Sequence, residues 1–280
     1  MAFFKKLRPQ AANLMGPFAE QLLRQAQFPP SADTSLKVLD NACGAGTVTD
    51  KIMGSLTEEQ KARLFLTCAD ISDMMIDGVK EHIAASGWKQ VEAIKADAQD
   101  TKFPTSSFSH IFFSFGPMLL PDPFAGLREC YRILQPGGTL AFTTWQKVPW
   151  CEDFRAGLAT NPEIPPLPED SVLIKAYANT DEPWDNVTDV KAHFQMHGFE
   201  DIKVEAAWNT SRIDSIDAIR EMIPYSLNKS IEKFWTKEQI EKYEKIAGDA
   251  AVDYVAKKYN GGPVLWDWTA IIATGKKPLA

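Results

Sequence analysis

The strongest constraint on this chain is a rhythm between residues 36 and 145. Five short apolar runs, at 36–39, 64–69, 91–96, 110–115 and 139–145, are interleaved with stretches of helical periodicity at 47–56, 73–86 and 122–134. Brief apolar runs bounded by turn formers predict strands buried on both faces, and helices placed between such strands predict a parallel sheet covered on either side. Gln135-Pro136-Gly137-Gly138 closes the last of those helices, since glycine accepts positive φ and proline cannot extend a helix.

The flanks extend this pattern. Leu14, Phe18, Leu22 and Leu23 share one face and predict an amphipathic helix over 13–27, ended by Phe28-Pro29-Pro30. After Trp145 the chain turns proline-rich (Pro162, Pro165, Pro166, Pro168), and 146–186 reads as a loop-rich insertion. A helix over 187–196, a strand over 202–207 and a last strand over 263–274 follow. Between those two strands lies a helical excursion. Ile216, Ile219, Met222 and Ile223 form one face before Pro224, and a longer helix opens with a capping box, Thr236 and Gln239, and stops at Asn260-Gly261-Gly262.

Charge and cysteine usage exclude several partners. Thirty Lys and Arg against 37 Asp and Glu give a net charge of −7, and the cations are scattered, which disfavours a phosphate backbone as ligand. No apolar run reaches the roughly 20 residues of a membrane span, and the first ten residues carry no signal-like core, so the expected address is cytoplasmic, without a membrane partner. Cys43, Cys68, Cys130 and Cys151 have neither C-x-x-C spacing nor a histidine at zinc-ligand distance, which predicts free thiols and no metal.

The turn after the first strand carries the chemistry. Residues 38–50 read VLDNACGAGTVTD: a strand, a glycine-rich turn, then a helix. This arrangement puts backbone N–H groups and a helix N-terminus at the C-terminal edge of the sheet, where open α/β sheets bind ligands. A dinucleotide fingerprint read from Gly44 would need its third glycine or alanine where Thr49 stands. Read instead as D-x-G-x-G-x-G, the segment supplies Asp40, Ala42, Gly44 and Gly46, with alanine in place of the first glycine. The second strand then ends in Asp70, an acid placed to accept two ribose hydroxyls, followed by the apolar Ile71, Met74 and Met75.

Together these segments resemble the class I S-adenosylmethionine-dependent methyltransferases, in particular the small-molecule branch of ubiquinone and menaquinone biosynthesis. The resemblance covers roughly residues 36–145. It implies a Rossmann-like, doubly wound α/β fold with a mostly parallel seven-stranded sheet and S-adenosylmethionine as cofactor. It also implies a single domain over 1–280: an N-terminal helical cap (1–30), a cofactor-binding core (31–145), helical insertions forming a substrate lid (146–186 and 208–262), and the last helix and strands of the core (187–207 and 263–280). By resemblance, Asp40, Ala42, Gly44 and Gly46 surround the methionine part of the cofactor, Asp70 holds the ribose, and Ile71 and Met75 pack on the adenine. Asp97 and Ala98 match the family's pair beside the adenine. Ser114 and Phe115, with Gly116, match the segment nearest the sulfonium. Ser109 departs from the family, which carries an acid there.

Methyl transfer from a sulfonium is an in-line displacement that proximity and water exclusion can drive, so no catalytic residue is required. His82, His110, His193 and His197 all fall at positions that suit a packed or surface role better than a general base. Glu152, Asp153, Tyr177 and Tyr225 in the insertions remain open for that role. The lack of an obvious base favours a nucleophile that ionises readily, such as a thiol, which is partly thiolate at neutral pH. Phe18, Met118, Trp145, Trp150, Tyr177, Met222 and Tyr225 are the candidate walls of an apolar pocket for a small molecule. The segments VLDNACGAG and FGPMLLPDP, with Pro183-Trp184, are similar to fungal secondary-metabolism methyltransferases, among them the gliotoxin-type thiomethyltransferases that cap dithiols. Two alternatives stand beside that reading: O-, N- or C-methylation of a quinone or polyketide-like metabolite, and a protein that keeps the cofactor while catalysing a pericyclic or isomerising step.

Overall fold

The computed structural model describes residues 2–30, 35–177 and 182–279. Seven strands, β1 (Leu36–Asn41), β2 (Leu64–Asp70), β3 (Val91–Lys95), β4 (Phe108–Ser114), β5 (Leu134–Lys147), β6 (Glu200–Ile213) and β7 (Val264–Lys276), form one sheet in the order β3-β2-β1-β4-β5-β7-β6. The helices are α1 (Ala2–Gln25), α2 (Thr47–Ser55), α3 (Glu58–Ala62), α4 (Asp73–Ser86), α5 (Pro123–Ile133), α6 (Pro149–Leu158), α7 (Asp170–Tyr177), α8 (Val187–Met196), α9 (Ile216–Met222), α10 (Leu227–Phe234) and α11 (Lys237–Lys258). Packing divides the chain into two compact units. The first comprises Met1–Trp145, Ala178–Ala207 and Ala270–Ala280, and the second Gln146–Tyr177 and Trp208–Thr269.

In the first unit β1 pairs in parallel with both β2 and β4, β2 with β3, and β4 with β5. The chain order therefore reverses between β1 and β4, the switch point at which an α/β sheet opens a crevice beyond its C-terminal edge. The middles of the strands are largely apolar, as a sheet covered on both faces requires: Leu39, Leu66, Ile111, Phe112, Phe113 and Phe142 are almost wholly buried. The predicted mostly parallel seven-stranded α/β sheet is the one observed.

Two local expectations need correction. The N-terminal helix begins at Ala2, eleven residues before the predicted start, and runs through Pro9 and Pro17. Proline weakens an isolated helix, but tertiary packing repays the loss. Phe4 lies so close to Gly78 of α4 that a Cβ there would sit 2.4 Å from its ring, and Gln25 Nε2 donates to the carbonyls of Lys203 and Ile272 at 3.0 and 3.1 Å. Two helices, α6 and α7, lie inside the loop-rich segment 146–186. Pro149 stands at the first helical position, where the missing N–H costs nothing. Finally, β6 runs on to Ile213, beyond the predicted end at 207.

In the second unit α6 packs along α11. Gly157 makes the close approach possible, since a Cβ there would sit 2.7 Å from Ala251 Cα. Asp153 on α6 is buried and accepts from Lys258 Nζ at 2.6 Å, Trp266 Nε1 at 2.8 Å and Tyr259 Oη at 3.3 Å. The predicted capping box of α11 is present, with the Thr236 side chain accepting from Gln239 N and the Gln239 side chain accepting from Thr236 N.

Candidate functional site

The first unit's site grows from the β1–α2 turn. Ala42, Gly44 and Gly46 all take left-handed φ values of 52°, 51° and 80°. Glycine adopts that conformation without penalty, whereas alanine at 42 bears a cost of about 1–2 kcal/mol. The space above Gly44 is open, for a Cβ there would meet nothing within 4 Å. The turn is tied to its neighbours by its own amides. Cys43 N donates to Ala69 O and Gly44 N to Asp70 Oδ2, each at 2.9 Å, and the other Asp70 oxygen accepts from Ser72 N at 2.9 Å.

Asp40 lies beneath this turn, 1% exposed, and its Oδ2 accepts from both Thr49 N (3.0 Å) and Thr49 Oγ1 (2.7 Å). Thr49, which sequence reasoning treated only as an obstacle to a dinucleotide, is thus the partner that satisfies the buried Asp40 side chain, and Asp40 in turn accepts an N–H from the first turn of α2. Burial pushes the Asp40 carboxyl up to about 7, against the lowering effect of the two Thr49 hydrogen bonds, while the neighbouring charges of Asp70 and Asp50 push the same way as burial. Cys68 Sγ lies 3.0 Å from the Thr49 hydroxyl, and all four cysteines are free and buried.

The next loops present the remaining candidates. Ile71 is 64% exposed beside Asp70, with Met75 half-buried, so apolar surface faces solvent at this loop. Asp97 accepts from Gln99 N at 2.9 Å and from its side-chain amide, and Ala98 is buried. At the end of β4, Ser114 Oγ lies 3.0 Å from Thr143 Oγ1, and Phe115 takes a left-handed φ of 54°. Its ring stacks on Trp145 with centroids 4.0 Å apart and planes 22° apart. Phe18 of α1 meets both rings edge-on at 5.8 and 5.7 Å. A Cβ on Gly116 would lie 2.1 Å from the Phe113 ring and 3.2 Å from Ala42 Cβ, which sets this turn directly against the glycine turn.

Of the expected pocket walls, Phe18 and Trp145 therefore converge on Phe115, while Met118 is buried in the short 3₁₀ turn after it. Phe18 is wholly buried and serves as backing for the stacked pair. In the second unit, Trp150 is buried against Phe154, Met222 ends α9 half-buried, and Tyr225 is exposed. Tyr177 ends α7 and its side chain lies outside the described residues.

The four histidines are engaged elsewhere. His82 Nε2 lies 2.8 Å from Asp50 and 2.6 Å from Arg8, joining α4, α2 and α1. His193 Nε2 donates to Pro183 O at 2.8 Å and His197 Nδ1 to His193 O at 2.7 Å. Burial holds His110 down to about 4. The Pro183-Trp184 pair is anchored to β5, where Thr144 Oγ1 donates to Trp184 O at 2.7 Å. Asp153, left open as a base by the sequence, is fully occupied by its three donors.

The profile of the ubiE/COQ5 methyltransferase family matches residues 24–155. The chain is 34% identical to "Methyltransferase tpcH" of Aspergillus fumigatus over 93% of this chain and 92% of that one. It is 33% identical to "Acetylaranotin bis-thiomethyltransferase" of Aspergillus terreus over 96% and 92%. The chain belongs to the S-adenosylmethionine-dependent methyltransferases. The fold by itself does not decide that, because the crystal structure of the [4+2]-cyclase SpnF superposes with a TM-score of 0.55 at 17% identity, over 97% of this methyltransferase and 83% of that chain. The curated relatives carry the activity.

The cofactor supplies an electrophilic methyl on a sulfonium. The chain's part in the reaction is to hold that methyl in line with an acceptor and keep water out. The open space over Gly44 and the exposed apolar surface at Ile71 fit such a cofactor. Among the described residues there is no cluster of metal-ligating side chains, and no helix is long and apolar enough to cross a membrane.

Proposed function

We propose that this methyltransferase methylates one or two thiols of a small-molecule secondary metabolite in the cytoplasm, with no metal, nucleic acid or membrane partner. The observation that carries the choice of a thiol is that the histidines are taken up by other groups, His82 by Asp50 and Arg8, His193 by Pro183 O and His197 by His193 O, with His110 held neutral by burial in β4. An alcohol would call for a general base, whereas a thiol near its ordinary pKa of about 8.5 supplies its own nucleophile at neutral pH. The similarity to a bis-thiomethyltransferase points the same way.

In this reading Asp40, Ala42, Gly44 and Gly46 surround the methionine part, Asp70 takes the ribose hydroxyls in exchange for its hydrogen bond from Gly44, and Ile71 and Met75 cover one face of the adenine. Asp97 and Ala98 border the adenine amine, and Ser114 and Phe115 border the sulfonium. The test incubates enzyme and cofactor with matched dithiol, phenol and amine acceptors, following S-adenosylhomocysteine release and the mass of each acceptor. Gain of one or two methyl groups on the dithiol alone supports the proposal, and methylation of the phenol or amine alone overturns it. Asp70→Ala lowers cofactor affinity at least about tenfold, as expected for losing charge-assisted hydrogen bonds. Unchanged affinity by calorimetry removes the ribose assignment.

A further inference from the structure

Thr143 lies in the C-terminal half of β5, wholly buried, and has no role in the sequence pattern of the family segments quoted above. Three contacts converge on it. Phe115 N donates to Thr143 Oγ1 at 2.9 Å and to Thr143 O at 3.1 Å, and Ser114 Oγ lies 3.0 Å from the same hydroxyl. The residue they secure is Phe115, a bulky side chain at φ 54°, a conformation that costs free energy and persists only where the surroundings impose it. The consequence is geometric. In that conformation the Phe115 ring lies flat on Trp145, backed by the edge of Phe18, and the following Gly116 sits against Ala42 of the glycine turn.

We propose that Thr143 is a positioning residue for methyl transfer: its hydroxyl holds the strained Ser114–Phe115 turn and so fixes the aromatic wall at the methyl-donating end of the cofactor. This rests on the reading that the sulfonium lies beside Ser114 and Phe115. The methyl-bearing cofactor and its product, S-adenosylhomocysteine, differ by one methyl group and one positive charge at the sulfur. The ratio of their affinities therefore reports on the wall at that point and on little else. An aromatic face close to a cation also favours the charged form.

The test uses Thr143→Val, which keeps the shape and removes the hydroxyl, and Thr143→Ser, which restores it. Titration calorimetry measures S-adenosylmethionine and S-adenosylhomocysteine on each protein, and a crystal structure of the valine variant gives the Phe115 backbone angle. The expected result is an affinity ratio shifted by about threefold or more in Thr143→Val, return of the ratio in Thr143→Ser, and Phe115 relaxed to negative φ with its ring off Trp145. A merely structural role would lower the melting temperature and change both affinities by one common factor. That outcome, or Phe115 still at positive φ and stacked in the valine variant, overturns the proposal while leaving the cofactor reading intact. Failure of the unaltered protein to bind either compound removes the cofactor reading, and the proposal with it.

Discussion

The buried Asp40 carboxyl should make the stability of the protein fall as pH rises from 5 to 8. Its folded-state pKa is raised from 3.8 to about 7, chiefly by burial. In the unfolded chain the carboxyl has already lost its proton by pH 5, whereas the folded protein retains it, so the folded state binds more protons across this window. Stability then declines with pH at up to about 1.4 kcal/mol per unit. A gap of about three units corresponds to about 4 kcal/mol in all, of which about 3 kcal/mol falls between pH 5 and pH 8. Asp40→Asn isolates this contribution. Its side-chain oxygen can still accept from Thr49 N and Oγ1, but it does not titrate. Urea unfolding of both proteins at pH 5, 6, 7 and 8 gives the difference directly, because every other titrating group is common to the pair. The variant should gain about 3 kcal/mol relative to the unaltered protein across that range. Two curves parallel within about 0.5 kcal/mol would mean that Asp40 is ionised in the folded protein throughout and that Thr49 fully offsets its desolvation. Under the proposal that Asp40 borders the methionine part of the cofactor, adding S-adenosylmethionine should flatten the slope, since a cation near the carboxyl favours its ionised form.

Two further outcomes follow from the geometry. Ala42→Gly removes the cost of left-handed alanine at φ 52° but loosens the unfolded chain, leaving a net gain of about 0.5 kcal/mol; a loss above about 1 kcal/mol in urea unfolding would show that the methyl group is packed. Asp153→Ala leaves the buried Trp266 N–H without its acceptor and breaks the pair with Lys258, a loss of about 2–3 kcal/mol by the same measurement, against which a change below about 0.5 kcal/mol would count.

The fold was readable because its determinants are local. Strands buried on both faces must be apolar along their length, and each carries its turn signal beside it, so β1, β2, β3 and β4 appear in the sequence within one or two residues of their observed ends. What escaped depends on partners far along the chain. Nothing near Pro9 announces that Phe4 will meet Gly78 or that Arg8 will reach Asp50 and His82, yet those contacts carry α1 through two prolines. The capping box of α11 was visible, but the similar one at Thr57 and Gln60 that opens α3 was not recognised, because five residues are too few to show periodicity.

The site divides along the same line. Residues that shape the turn through the backbone were legible, since turns of left-handed geometry select glycine and leave a spacing: Gly44 and Gly46 take left-handed φ, and even the departure at Ala42 obeys the geometry it breaks. Residues that act by holding other side chains were not, because a threonine in a strand or at a helix start reads as ordinary packing. Thr49 satisfies Asp40 from nine positions away, and Thr143 secures Phe115 from 28 positions away. Each is a β-branched residue, which a buried strand or tight helix start would accept as valine on shape alone. The hydroxyl is the informative atom, and its meaning depends on the acceptor or donor that the fold brings to it. That is why replacing Thr by Val at these two positions, with packing volume nearly kept and one hydrogen-bonding atom lost, separates what the core needs from what the site needs.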